Sequence, residues 1–225
     1  MDYLGIDVDV QILAPGTHIE IANKLGLKRG SVPFLRVGEI VIQGSDAIIH
    51  WAEQENKSNA TLGSLNPEVI AVEKRLDDKL GVHIRRWFYS EAILEAPALV
   101  KPIFMHGISA WEKLKLTLKW PIICRLMTQG MDLGHQQGLE SLEIIKQEIE
   151  WLESLIGDRN SYLVGNTFSR SDITAASLLA PLVTPSEYSC SKLMSLPPRA
   201  KQESEEMVDR LFWNWVEAQY KTHRS

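Results

Sequence analysis

The chain contains few cysteines, no long apolar run and fewer basic than acidic side chains. Only Cys124 and Cys190 occur among 225 residues, too few for a disulfide framework or a C-x-x-C metal or redox pair. The longest strongly apolar uncharged run, Ile173 to Thr184, is shorter than the roughly 20 residues that cross a bilayer. The sequence therefore predicts a protein of a reducing compartment without a membrane span.

Charge and composition narrow the possible class of protein further. The 29 acidic and 24 basic side chains give a net charge of -5, which repels phosphate backbones at long range, so no nucleic-acid partner is expected. The N-terminus lacks the basic and apolar regions of a secretory signal, so the cytoplasm is the expected location. With 44% hydrophobic and 24% charged residues, the chain has the composition of a folded globular protein.

Several catalytic motifs are missing as well. The six histidines show neither H-x-x-x-H nor H-E-x-x-H spacing, so no metal site is predicted. Walker, G-x-S-x-G and G-x-G-x-x-G patterns do not occur, which excludes the main phosphate-loop, hydrolase and Rossmann interpretations.

The first 55 residues mix strand and helix patterns. Apolar and polar residues alternate over Val8–Leu13, which predicts a strand with one buried face. Thr17 to Gly26 has the pattern of a short helix. Two β-branched runs, 32–37 and 39–42, flank Gly38 and predict a hairpin. Ser45 then stands at an N-cap position before a helix that ends near Glu55.

After a polar linker at 56–65, the periodicity is helical throughout. Asn66-Pro67 predicts a helix start, and Ser169 with Asp172 forms an S-x-x-D capping box. Residues Ile103 to Met127 combine Trp, Leu and Lys and have two interpretations. The expected one is an interior helix pair broken at Pro121; the other is a cationic amphipathic helix on a membrane surface.

Three motifs in this order resemble the cytosolic glutathione transferase family: S-V-P-F-L before the hairpin, G-S-D-A-I-I at the last helix of the N-terminal part, and F-S-R-S-D-I in the helical part. The resemblance covers almost the whole chain. Two segments, L-A-P-G-T-H and L-A-P-L-V-T-P-S-E-Y, are similar to a bacterial subgroup of the family. It implies an α/β plus all-α fold, with a thioredoxin-like glutathione-binding domain at 1–55, a linker at 56–65 and an all-helical domain at 66–225.

In the family, the strand at Val8–Leu13 would be the second strand. The resemblance therefore implies that the first strand and most of the first helix, with the Ser, Cys or Tyr that activates the thiol, lie before Met1, and that the chain is truncated. The catalytic residue is consequently unknown. Met1 to Leu4 would be the last turn of that helix, closed by Gly5.

The resemblance implies glutathione as co-substrate and assigns residues to it. Val32 and a cis-configured Pro33 would bind the cysteinyl backbone, and Gly44, Ser45 and Asp46 the γ-glutamyl group. The alternative for Ser45 is that it only caps its own helix. Family patterns carry Glu or Gln directly before this serine, whereas here Gly44 does so, preceded by Gln43. Gln43 could supply the missing polar contact.

A hydrophobic-substrate pocket is expected in the helical domain. Arg86 and Tyr89 lie on the first long helix, and Tyr188 follows Pro185; packing in the core or between domains is the alternative role. The resemblance implies an enzyme that conjugates or reduces small hydrophobic electrophiles with the glutathione thiolate. The alternative is a non-catalytic module of the same fold that binds ligands or proteins. Family members commonly form dimers, so a homodimer is one assembly that the resemblance allows.

Overall fold

The computed structural model describes residues 1–56, 60–157 and 161–224. The chain divides into two compact units, Met1–Ser64 with Phe104–Leu118, and Leu65–Ile103 with Lys119–Ser225. The elements, in chain order, are a 3-10 turn at Asp2–Leu4, α1 (Thr17–Lys24), β1 (Phe34–Val37), β2 (Ile40–Gln43), α2 (Ser45–Glu55), α3 (Pro67–Arg75), a π-helical segment (Leu76–Gly81), α4 (Val82–Glu95), α5 (Pro97–Phe104), α6 (Ala110–Gly130), α7 (His135–Ile156), α8 (Arg170–Val183), α9 (Pro198–Glu205) and α10 (Leu211–His223).

The sheet of the first unit is the predicted hairpin. Strands β1 and β2 are antiparallel, with Phe34 opposite Gln43 and Val37 opposite Ile40. Gly38 makes the turn with a φ of 59°, a conformation that glycine adopts without steric cost. The predicted helices α1 and α2 are also present, and Gly5 closes the first turn in the left-handed conformation.

The strand predicted at Val8–Leu13 was wrong. Residues 6–14 have no regular secondary structure, and Val10 and Ile12 are 76% and 48% exposed. An alternating run becomes a strand only when a neighbour supplies ladder hydrogen bonds. Among the described residues, β1 and β2 pair only with each other, so the apolar alternation has no strand beside it.

The second unit is helical, and its predicted helix starts are confirmed. Asn66 caps α3 by accepting a 2.9 Å hydrogen bond from the Glu68 N–H. Ser169 and Asp172 form the capping box of α8, and the Asp172 carboxylate also accepts a 2.7 Å bond from the Leu163 N–H. These bonds satisfy amides at the helix start and tie the preceding loop to it.

The core of this unit lies where the long helices face one another. Fully buried positions recur at helical spacing along α3, the π segment, α7, α8 and α10, as expected for amphipathic helices that cover each other. The largest apolar members are Leu76, Leu80, Ile145, Ile149, Leu152, Ile156, Leu179, Leu182 and Phe212.

Helix α6 differs from the expectation of an interior pair broken at Pro121. It is one continuous helix from Ala110 to Gly130, with Pro121 inside it. Pro121 is exposed, so water can reach the backbone carbonyl of Thr117, which lacks the usual N–H donor four residues later. The break prediction was wrong because an exposed helix tolerates a proline more easily than a buried one.

Candidate functional site

The loop before β1 contains the predicted cis-proline. The peptide bond between Val32 and Pro33 is cis, and the Val32 side chain is 55% exposed. Val32 and Pro33 therefore form an accessible surface directly before the hairpin.

This loop is joined to the start of α2 through the backbone. The Gly44 N–H donates a 2.9 Å hydrogen bond to the carbonyl oxygen of Pro33. Gly44 has a φ of 96°, and a Cβ built on it would meet no other atom within 4 Å. Open space therefore lies beside Gly44, and the hydrogen bond brings the backbone of 32–33 next to that of 44–46.

The predicted N-cap position of Ser45 was wrong by one residue: Ser45 is the first residue of α2, and Gly44 occupies the N-cap position. The exposed Ser45 side chain has no hydrogen-bond partner within the part of the chain that the structure describes, so it does not cap its own helix. The first-turn amides of a helix lack intrahelical acceptors and carry the positive end of its dipole. The exposed Asp46 follows in the same turn. This helix start suits an anionic group.

Gln43 stabilises the loop that contains the cis-proline. Its side-chain Nε2 donates to the carbonyl oxygens of Arg29 at 2.7 Å and Ser31 at 2.8 Å. An amide NH₂ has only two hydrogens to donate, so both are used within the protein. The family pattern left open whether Gln43 supplies the missing polar contact to the ligand; in the structure its amide hydrogens brace the loop.

The second unit contains a cavity of about 450 Å³. It lies beside the π segment, α4 and α8 and is partly open to solvent. Most of its wall is apolar, and its polar groups are two phenols, one hydroxyl and one charge of each sign. The lining residues used below are Asp77, Gly81, Arg85, Phe88, Tyr89, Leu178 and Tyr188.

Tyr89 and Tyr188, two of the three residues predicted for a substrate pocket, lie in the wall of this cavity. Burial raises the pKa of the Tyr89 phenol, with the Arg85 charge opposing the shift. Burial, reinforced by Cys190 and Tyr220, raises the pKa of Tyr188 to about 12. Both phenols are therefore protonated at neutral pH and can donate hydrogen bonds.

Arg86 has a different environment. Its guanidinium lies 3.4 Å from the Glu140 carboxylate and 3.8 Å from that of Asp132, and it is not among the residues that line the cavity. Arg85 lines the cavity instead. The signal that could have found Arg85 is spacing, because residues four apart share one face of a helix, and Tyr89 is four residues after Arg85.

The comparison with known families concerns the unit that contains the cis-proline loop. Residues 1–60 match the family model of the glutathione S-transferase N-terminal domain. The two-stranded sheet and the helices thus correspond to a thioredoxin-like N-terminal domain followed by a helical C-terminal domain. The loop at 32–33 and the helix start at 44–46 both lie inside the matched residues 1–60. No curated protein matches the chain significantly.

Two further features of the described residues concern membrane spans and metal ions. Within 1–56, 60–157 and 161–224, no helix is both long and apolar enough to cross a bilayer. Among the same residues, no three His, Cys, Asp or Glu side chains are grouped so that they could hold a metal ion.

Proposed function

We propose that the N-terminal unit binds glutathione and that the chain acts as a glutathione transferase on small hydrophobic electrophiles. The observation that carries the proposal is the hydrogen bond between the Gly44 N–H and the Pro33 carbonyl. It places two backbone segments side by side, one suited to a peptide backbone and the other to a carboxylate. The match of residues 1–60 to the glutathione S-transferase N-terminal domain supports the same ligand.

Two of the three residues of the tripeptide, the cysteinyl and the γ-glutamyl residue, would have partners in this unit. The backbone N–H and C=O of Val32 would pair with the cysteinyl residue, with Pro33 fixing the loop. The first-turn amides of α2 and the Ser45 hydroxyl would hold the γ-glutamyl carboxylate. Asp46 would face the ammonium group, which needs an opposite charge. Gln43 would keep the loop in place without touching the ligand.

The electrophile would bind in the cavity of the helical unit. Its volume of about 450 Å³ lies within the range of small-molecule sites, and a mostly apolar wall with a few polar groups is typical of them. A phenol is protonated at neutral pH, and burial raises the pKa of Tyr89 and Tyr188 further, so both would act as hydrogen-bond donors rather than as bases. Arg85 would favour substrates that carry a negative or strongly polar group.

Glutathione supplies the nucleophile in such reactions. Its thiolate sulfur forms a bond to an electrophilic carbon while the leaving group departs with the bonding electrons. The chain's own contribution would be to hold the tripeptide and the electrophile; the residue that activates the thiol is not assigned.

Calorimetric titration with reduced glutathione tests the binding half of this proposal. The wild-type chain should bind, and Ser45→Ala should weaken binding by about 1 to 3 kcal/mol because a charge-assisted hydrogen bond is lost. Ser154→Ala, an exposed serine of α7, is the matched control and should bind like the wild type. Absence of heat with a folded protein would refute glutathione binding.

Turnover is tested separately with an activated aryl halide and with an organic hydroperoxide, each in the presence of glutathione. Product formation above the uncatalysed rate supports the transferase. Binding without turnover of either class would instead support the non-catalytic ligand-binding or protein-binding module.

A further inference from the structure

Helix α6 has an exposed apolar stripe. Five large apolar side chains on this one helix are half or more exposed, and Leu118 reaches 74%. Single exposed apolar residues are ordinary, but a contiguous row of them is a sign of an interaction surface. The α6 stripe consists of Trp111, Leu114, Leu118, Ile122 and Leu126.

The alignment of the α6 stripe follows from helical geometry alone. At 3.6 residues per turn, its five members fall within an arc of about 120°. Leu116 and Trp120, which are 4% and 8% exposed, project from the other side of the helix. Helix α6 therefore has two apolar faces, of which one is buried in the protein and the other is in contact with solvent.

Basic side chains accompany the α6 stripe. Lys115 and Arg125 fall within its arc, and Lys119 lies at its border. The Lys115 ammonium is 5.2 Å from the centre of the Trp111 ring. The one acid of α6, Glu112, accepts hydrogen bonds from the N–H and the hydroxyl of Ser109 at 2.9 and 2.6 Å. The exposed face is thus apolar and cationic in a chain whose net charge is -5.

We propose that the α6 stripe docks onto an anionic membrane surface. A helix with apolar side chains between Lys and Arg lies in the headgroup layer, where the apolar groups enter the acyl boundary and the cations meet lipid phosphates and carboxylates. Trp111 suits the same layer, because indole rings favour the membrane–water interface. A second copy of the chain fits less well, because two facing stripes would bring the same three cations together.

Vesicle flotation of the full chain tests this proposal. Vesicles of phosphatidylcholine alone are compared with vesicles containing about one third phosphatidylserine, at about 0.1 M and about 0.5 M salt. The chain should float with the anionic vesicles at low salt and be largely released at high salt. Tryptophan emission should shift to the blue with anionic vesicles, and Trp111→Phe should reduce that shift.

Matched variants separate the apolar and the ionic parts of the α6 stripe. Leu114→Gln with Leu118→Gln should lower vesicle affinity by about tenfold or more, and Lys115→Gln with Lys119→Gln by a similar factor. The controls are Leu65→Gln with Leu94→Gln and Lys28→Gln with Lys221→Gln, all at exposed positions outside α6, and they should leave the affinity unchanged. Circular dichroism shows whether each variant is folded.

Three results would overturn the proposal. The first is absence of flotation by the folded wild-type chain. The second is equal loss of binding in the α6 variants and in their controls. The third is a concentration-dependent dimer that Leu114→Gln with Leu118→Gln dissociates, without vesicle binding, which would assign the α6 stripe to a second copy. Glutathione titration reads the loop at 32–33 and the start of α2, which lie outside α6, so failure of glutathione binding and failure of vesicle binding are distinguishable.

Discussion

Arg170, the first residue of α8, is paired with Glu73 of α3, with 2.6 Å between Nε and Oε2. The Arg170 side chain is 1% exposed, which makes it one of the most deeply buried groups of the helical unit. The Thr174 hydroxyl also donates to Glu73, at 3.4 Å. A buried charge is tolerated only when it is paired and hydrogen-bonded, so this pair constrains how α3 meets α8.

Replacing Glu73 alone should be severely destabilising. Glu73→Met leaves the Arg170 charge buried without its carboxylate, and we expect a loss of about 3 to 5 kcal/mol in the free energy of unfolding, measured by urea denaturation. Glu73→Met with Arg170→Met should recover much of that loss because both members of the ion pair are then removed. Lys201→Ala, which breaks an exposed pair with Glu205, should cost less than about 1 kcal/mol. A loss of unfolding free energy of similar size in Glu73→Met and Lys201→Ala would contradict the role given to the buried Arg170–Glu73 pair.

Gly138 of α7 lies close against Ser90 of α4. A Cβ at Gly138 would lie 3.0 Å from the Ser90 Cβ, which the backbone of α4 fixes in place. Gly138→Ala should therefore destabilise the protein by about 1 to 3 kcal/mol through overpacking. Gly130→Ala, where nothing lies within 4 Å, should be neutral or slightly stabilising.

The variants Gly138→Ala and Gly130→Ala are compared by thermal unfolding under identical conditions. Ser90→Gly in the Gly138→Ala background removes the opposing Cβ and should restore part of the loss. If Gly138→Ala melted at the wild-type temperature, the helices would have room to separate, and the close packing would be wrong.

Glu53 should make the N-terminal unit sensitive to acid. Its carboxylate accepts hydrogen bonds from the Leu62 N–H and from the Thr61 hydroxyl, the latter at 2.9 Å. Burial by itself raises the pKa of Glu53, but hydrogen bonds from Ser64, Leu62 and Thr61 outweigh burial and lower it below 4.5. Because the folded state binds the Glu53 proton more weakly than the unfolded state does, ionised Glu53 contributes its full stabilisation above pH 4.5. That stabilisation is lost as the pH falls through the lowered pKa of Glu53.

Glu53→Gln should consequently reduce the melting temperature at pH 7, and the difference from wild type should shrink as the pH falls below 4.5. Hydrogen exchange of the Leu62 amide, which should be slower at pH 7 in the wild type than in Glu53→Gln because a carboxylate is the stronger acceptor, gives a local readout. Glu55→Gln, at an exposed position of the same helix, is the control. A difference that grows on acidification would have the wrong sign.

Gln43→Glu tests whether the loop brace supports the proposed glutathione site. A carboxylate cannot donate to the Arg29 and Ser31 carbonyls, so the loop before β1 should loosen and glutathione affinity should fall by about tenfold or more. We expect Gln54→Glu, at an exposed position of α2, to bind as the wild type does. Unchanged affinity in Gln43→Glu would mean that the loop is held by other contacts.

Arg85 and Arg86 offer a matched pair for the cavity. An anionic apolar dye such as 8-anilinonaphthalene-1-sulfonate should bind there, and Arg85→Met should weaken its binding severalfold because Arg85 lines the cavity. Arg86→Met should have little effect on dye affinity, since Arg86 faces Glu140 and Asp132. Fluorescence titration measures both, and the reverse order of effects would exclude the cavity as the dye site.

Local signals in the sequence predicted a large part of the structure. The Asn66 and Ser169 caps, the hairpin at Gly38 and the helix that begins at Ser45 depend on neighbours in the chain, and each is present. The strand at Val8–Leu13 failed because its hydrogen bonds would have to come from a distant strand. Arg86 was predicted for the pocket from its place on the first long helix, whereas spacing by four residues from Tyr89 points to Arg85, which lines the cavity.

The sequence alone determined where helices and turns begin, which side of each long helix is apolar, and that a V-P loop precedes a hairpin and a helix start. These features need only short-range sterics and hydrogen bonds. Tertiary structure decided that the Pro33 carbonyl meets the Gly44 amide, that Gln43 braces the loop, that Arg170 is buried against Glu73, and that one apolar face of α6 is exposed. Each of these four features requires particular segments to pack together. Burial and pairing across the fold select those segments, and no local sequence pattern encodes them.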